Sequence, residues 1–532
     1  MLLGLTEHFS YILQFISQIL QSNTSLLFNK LCVAMETHSL ARKIDRISQL
    51  PEDVLALVLS RLSIIDAVQT SSLSRKWKNV HTFIPRVNFD YFEMLMFWSG
   101  GNPCAVTLYN EEFVEDIFFK HYPVSKLVTF ILKPPTLYHQ EFVEAVDTFF
   151  QHYSSSKLVS FRLSWFFNSS HICGFKRWMQ SLCRLGVAQL DLVFCKASFP
   201  GPDFSWHLLS EASSLENVRL CGFSLQSELL INQCYPIKAL HFHRVRFAPG
   251  TLECILSSCP SLRSLTIVKC IFLFSKLRIH SPSLTLLRMK LWVPSQVGEI
   301  ELDAINLNSF EYVDCVMRKL LFTSVPLLER LSITLYGNII EPNVFGLLPA
   351  DLTQVKSLYY QISDLQEYKK CELNNKVLSN LREVFFILVK PECDLPKITS
   401  IFDTCPLLQK FHLVVRLCNG LHLVLLTETS NVGRSYVGFH NSNGFHFELE
   451  EVELSGFSGT ENEMGLALYI LKCAATLKRM RIIRCPKLYV GYGRWDWMKN
   501  VETRFSKEKR RMIHERLQGQ ALSESAQVTI YG

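Results

Sequence analysis

The stretch LSSCPSLRSLTI, residues 256–267, holds the pattern that organises most of this chain. A helix end at Leu256 runs into a Cys259-Pro260 turn, and Leu262, Leu265 and Ile267 follow at apolar-x-x-apolar-x-apolar spacing. Alternation along a strand sends the second and third of these to one face. The same order returns at Phe402, Cys405-Pro406 and Leu408. Working outward, the triplet appears at Leu127/Phe130/Leu132, Leu158/Phe161/Leu163, Val187/Leu190/Leu192, Leu215/Val218/Leu220 and Ile237/Leu240/Phe242. Beyond residue 267 it continues at Leu284/Leu287/Met289, Leu307/Phe310/Tyr312, Leu328/Leu331/Ile333, Val355/Leu358/Tyr360, Leu381/Val384/Phe386 and Leu408/Phe411/Leu413. Leu449/Val452/Leu454 and Leu477/Met480/Ile482 close the series. One match is weak in a chain that is 48% hydrophobic, but fourteen in phase are not chance. Most spacings fall between 21 and 31 residues, with a longer gap before Leu449. A period of that length predicts a solenoid in which each unit gives one short parallel strand and a return segment.

The period is that of leucine-rich repeats, and their irregular length and missing asparagine ladder resemble the degenerate plant type. Two units are nearly duplicated: Glu112-Phe-Val-Glu with His121 and Ser125-Lys-Leu-Val, against Glu141-Phe-Val-Glu with His152 and Ser156-Lys-Leu-Val. Near the end, Thr460 and Glu463 have capping-box spacing and predict a helix over residues 464–475, with Leu466, Ile470, Leu471 and Ala474 facing inward. The run from Leu449 to Met480 resembles the FBD module found C-terminal to plant F-box proteins, here residues 441–490. It also reads as the capping repeat that an array needs. After Pro486 the regularity stops, and residues 491–532 read as a solvated basic tail with a helix around Lys507, Lys509, Arg510 and Arg511.

Ahead of the repeats, residues 44–85 carry three short helical signals. Leu50-Pro51-Glu52-Asp53 starts a helix, since proline suits the first helical position and acids face the positive dipole end. Val54, Leu55, Val58, Leu59 and Leu62 then recur at helical spacing. Asp66 is placed to cap a second helix through Leu73, and Ser74 a third carrying Arg75, Lys76, Trp77 and Lys78. Asp45-Arg46-Ile47, Leu-Pro-acid, Asp-Ala-Val and Ser-Arg-Lys-Trp, in this order, resemble the F-box of plant proteins. Ser63-Ile64-Ile65 stands where Pro-Thr-Lys is usual, and Val80-His81 where Leu-Trp is usual. Both departures bear on docking affinity.

The expected architecture is α/β. A three-helix F-box (44–90) precedes an irregular leucine-rich-repeat solenoid (91–440), the FBD-like cap and the tail. Residues 1–43 are expected to be an N-terminal extension, disordered or an accessory helix, with Met35 beginning a short polar leader ahead of the F-box-like unit. The resemblance implies the substrate-recognition subunit of an SCF-type ubiquitin ligase. Its F-box would dock on a Skp-family adaptor, and through it on cullin and a RING subunit. Carried over by position, the docking face is Leu50, Pro51, Val54, Leu55, Val58, Leu62, Val68, Leu73 and Trp77. The repeats would hold a protein substrate that one sequence does not identify. A repeat scaffold without ligase coupling is the alternative.

The composition excludes several other classes. Net charge is +7 with no basic block in the body, so nucleic acid is not the expected partner. The apolar N-terminus is interrupted by Glu7, His8 and Gln14 and is too short to span a bilayer, so no membrane partner is expected. The 17 cysteines contain no CxxC pair and read as buried, reduced thiols of a cytoplasmic or nuclear protein. Catalytic motifs are absent, as are phosphate-binding and metalloprotease motifs. His241 and His243 flank the inward Phe242 and are expected on a solvated strand face, with no third ligand to complete a metal site. No cofactor and no catalytic residue is expected.

Overall fold

The structure is a computed structural model that describes residues 50–94, 139–335, 352–362, 379–415 and 445–531, all but 352–362 with short gaps. Its frame is a parallel sheet of 15 strands, in which each strand lies beside the previous strand of that same sheet in chain order. In order these are β1 Arg86–Asp90, β2 Ser160–Trp165, β3 Gln189–Phe194, β4 Asn217–Cys221, β5 Ala239–His243, β6 Ser264–Val268 and β7 Leu286–Lys290. Then follow β8 Ser309–Asp314, β9 Arg330–Leu335, β10 Ser357–Ile362, β11 Glu383–Leu388, β12 Lys410–Val415, β13 Glu451–Ser455 and β14 Arg479–Ile483. After a hairpin, β15 Lys487–Gly491 with β16 Arg494–Trp497, the chain returns to the sheet as β17 Gln527–Tyr531.

Every triplet from Leu158 onward sits on one of these strands, with its second and third residues turned into the core. The register stacks Phe161 on Leu190, Leu190 on Val218 and Val218 on Leu240, and the column runs on through Phe411, Val452 and Met480. All of these are buried. Burying each such side chain stabilises the fold by roughly 1.5–3 kcal/mol relative to exposure. A backbone ladder adds to the column: Lys238 N–H donates to Glu216 O (2.7 Å), Arg263 N–H to Lys238 O (2.8 Å) and Thr285 N–H to Arg263 O (2.9 Å). The Cys-Pro turns form as expected, with Leu262 N–H donating to Cys259 O (3.1 Å) and Leu408 N–H to Cys405 O (3.1 Å). Cys485-Pro486 differs, because it leads into the hairpin instead of a sheet strand.

Two corners require glycine. Gly222 and Gly456 follow β4 and β13 with φ of +79° and +72°, and a Cβ would lie 2.4 Å from Phe194 O and 1.8 Å from Val415 O.

The helices are α1 Glu52–Leu59, α2 Ile64–Gln69, α3 His139–His152, α4 Ile172–Arg184, α5 Thr251–Ser257, α6 Glu461–Cys473 and α7 Lys507–Leu517. The capping box at α6 is present on both sides, and Leu466, Ile470, Leu471 and Ala474 are buried. The helix starts at Glu461, three residues earlier than residue 464, because Thr460 is its N-cap and the first turn follows directly.

Several expectations change. Pro51 is the N-cap of α1, not its first helical residue. Asp66 does not cap the second helix. α2 begins two residues before it, so Asp66 falls in the first turn and the helix ends at Gln69, short of Leu73. The strand beside β2 is β1, which the repeat series did not include. Leu127, Phe130 and Leu132 lie outside the described residues, as do residues 1–43 and Ser74. His243 is not on a solvated face: its Nδ1 lies 3.1 Å from Cys221 Sγ and the residue is buried, because the last outward position of β5 is covered at the repeat corner. The tail is not merely solvated. Ile513 and Leu517 of α7 are buried, Arg516 forms a two-point pair with Glu461 (2.7 and 2.9 Å), and β17 adds the final strand beside β14.

Candidate functional site: an uncovered apolar face at the head of the solenoid

α1 has the sequence EDVLALVL, apolar on every side from Val54 onward. A helix of this kind must be covered all round or leave an apolar face to its surroundings. Its start is set by Pro51, whose carbonyl accepts from Leu55 N–H (3.0 Å), and by Glu52 and Asp53 in the first turn. Leu55, Ala56 and Leu59 point into a core shared with Ala67 of α2, with Trp77, and with Val80 and Ile84 leading into β1. Leu50 and Leu62 pack half-buried against the same cluster. The 3-10 turn Val80–Phe83 closes the unit, with Val80 N–H donating to Trp77 O (3.2 Å). The head is therefore continuous with the solenoid core.

Among the described residues nothing covers the opposite side of α1. Val54 is 37%, Leu57 55%, Val68 44% and Phe83 42% exposed. Pro51 is exposed beside them and Val58 is half-buried. Apart from half-buried Leu50 and Leu62, the described residues expected on the docking face divide into two sets. Pro51, Val54, Val58 and Val68 face outward or half outward, while Leu55 and Trp77 are internal supports. Leu73 lies outside the described residues. Leu57 and Phe83 join the exposed set without having been singled out in the sequence. Leu57 stands three residues from Val54, and that spacing was a usable signal.

Other groups that draw attention are structural. Asp314 and Arg318 form a buried pair (2.6 Å) with the Tyr312 hydroxyl donating to Asp314 (2.9 Å), and burial raises the Tyr312 pKa. Burial pushes the Cys259 and Cys270 thiols up to about 11 and about 12, which keeps them protonated and inert. Among the described residues no group of three or more His, Cys, Asp or Glu is arranged to hold a metal ion. No described helix is long and apolar enough to cross a membrane.

A helical head carrying an apolar face that no described residue covers, joined to a one-dimensional array of parallel strands, defines a repeat protein with an N-terminal helical unit. Residues 151–515 match the At1g61320/AtMIF1 LRR domain family, and residues 47–82 match the F-box domain. Two F-box/FBD/LRR-repeat proteins of Arabidopsis thaliana, At5g44950 and At5g22670, are 22% and 23% identical over 82% and 84% of this chain and 92% of their own length. The F-box/LRR-repeat protein At2g42720 of the same plant is 53% identical over 47 residues, 9% of this chain and 11% of its own. The chain belongs to the plant F-box/FBD/leucine-rich-repeat family.

Proposed function

We propose that this chain is a non-catalytic substrate receptor of an SCF-type ubiquitin ligase. The exposed set Val54, Leu57, Val68 and Phe83 docks on a Skp-family adaptor, and the solenoid holds a target protein. The observation that carries this reading is the uncovered apolar face of α1 and α2, on a unit whose inner face is already fully packed. The mechanism is positioning. Holding a target lysine near the charged ubiquitin carrier raises its effective concentration and needs no reacting group here. The ten described cysteines are free, which supports work in a reducing compartment, cytoplasmic or nuclear.

Capture of a purified Skp-family adaptor by the full chain tests the proposal. Val54→Asp with Leu57→Asp should lower capture at least about a hundredfold, since two interface anchors of about 2 kcal/mol or more are lost. Absence of capture by the unaltered chain at micromolar concentration would leave the scaffold without ligase coupling as the better reading.

A further inference from the structure

The outward face of the sheet is polar along most of its middle column, from Asn88 through Arg162, Asp191, Arg219, His241 and Thr266 to Arg288 and Glu311. At β10 to β12 the column changes to Tyr359, Phe385 and His412. These three rings stack face to face, with centroids 4.4 Å and 4.1 Å apart and planes within 9° and 6°. The β15–β16 hairpin folds back over them. Tyr489 lies 5.3 Å from the Tyr359 ring and Trp495 5.2 Å from the Phe385 ring. Lys487, on the same strand face as Tyr489 two residues away, pairs with buried Glu453 of β13, which also takes Arg481 (3.2 Å).

Three observations mark this hairpin as a removable occupant. It forms its own two-stranded sheet and shares no ladder with the main one. None of its described side chains is fully buried, so little core is lost when it leaves. It also leaves the site incompletely satisfied, because both ring nitrogens of nearly buried His412 lack a hydrogen-bond partner among the described residues.

We propose that the Tyr359–Phe385–His412 platform with Glu453 is the peptide-recognition site of the solenoid, and that the β15–β16 hairpin is a built-in competitor. The chemistry of the competitor defines the partner. It is an extended peptide with a basic residue two positions before an aromatic one, the cation on Glu453 and the ring on the stack, and with a polar group to meet His412. The outward surface of a solenoid is the extended concave face that such folds use for partners. The site deepens the receptor reading but needs no ligase coupling.

The test uses a fluorescein-labelled synthetic peptide of residues 486–498 and polarisation titrations against the full chain. A strap-opened chain, Tyr489→Ser with Trp495→Ser, should bind it at least tenfold more tightly than the unaltered chain. Adding Phe385→Ala should reverse that gain. Equal binding by the opened and unaltered chains, or binding indifferent to Phe385→Ala, would overturn the proposal. Hydrogen exchange on the unaltered chain provides a check independent of variant folding. Amides of β15 and β16 should exchange at least about a hundredfold faster than those of β11, and equal protection counts against a removable strap. Adaptor capture is read on the same chains: intact capture with no peptide binding removes the platform alone, and peptide binding without capture removes the ligase reading alone.

Discussion

The two ends of the shared core treat apolar side chains in opposite ways. In the β13–α6–β14 repeat, Val452, Leu454, Leu466, Ile470, Leu471, Met480 and Ile482 are all buried. In α1, which is at least as apolar, Val54 and Leu57 stay outside. Coverage makes the difference. α6 packs on the 3-10 turn Leu395–Thr399 and on α7, whereas among the described elements α1 packs chiefly against the 3-10 turn Val80–Phe83. An apolar residue is buried only where a second element arrives to cover it, and for the outer side of α1 no described element does.

The comparison can be broken from its strongest side first. Phe411 is buried between Phe386 and Phe402, and Phe411→Ala should cost roughly 3–5 kcal/mol in denaturant unfolding. A loss below about 1 kcal/mol would mean that the repeat column is not the load-carrying core.

The strapped region should be sensitive to mild acid. Burial, then Lys487, Arg481 and Lys410, lower the pKa of His412 from 6.5 to about 3, while Glu383 lies 3.9 Å from its Nε2 and Glu453 is its neighbour on β13. Above pH 6.5 neither folded nor unfolded chain protonates this ring. Below it the unfolded chain gains a proton that the folded one refuses, so stability falls as pH drops from 6.5 towards 3. The loss at pH 5 is about 2 kcal/mol. His412→Phe, which keeps the stack on Phe385, should flatten the pH dependence between 6.5 and 5 in the same unfolding measurement.

Thr460→Ala removes the acceptor of the Glu463 N–H (3.4 Å) and should cost about 1 kcal/mol, read as a shift in unfolding midpoint. Smallest of all, Leu57→Ala should change stability by no more than about 0.5 kcal/mol, because its side chain leaves no core. If Leu57→Ala destabilised the chain as much as Phe411→Ala, the contrast between covered and uncovered faces would fail.

The repeat array was legible because its signal is local and periodic. Each triplet obeys strand alternation, and thirteen of them fell in order onto neighbouring strands of the sheet. The cap of α6 was legible for the same reason, since Thr460 and Glu463 satisfy each other within one helical turn. β17 escaped notice because Ser525 stands where the leading apolar residue of the motif would be, so its place comes only from pairing with β14. β1 does carry the spacing, as Ile84/Val87/Phe89, but Ile84 lies within residues 44–85, the stretch read as the helical head. His243 was misplaced because alternation gives the side of a strand but not what covers that side. In the head, helical spacing named the apolar residues of α1 without separating Leu55, which is inside, from Val54 and Leu57, which are outside.

The amino-acid sequence by itself determined the class of fold, the order of its strands, the head unit and the capping box, because each rests on residues within one turn or one strand of each other. Only the tertiary structure decided which apolar residues stay uncovered on the head, that the C-terminal tail completes the sheet, and that a hairpin lies over Tyr359, Phe385 and His412. Those depend on which distant segments meet, and the meeting is set by packing across many repeats.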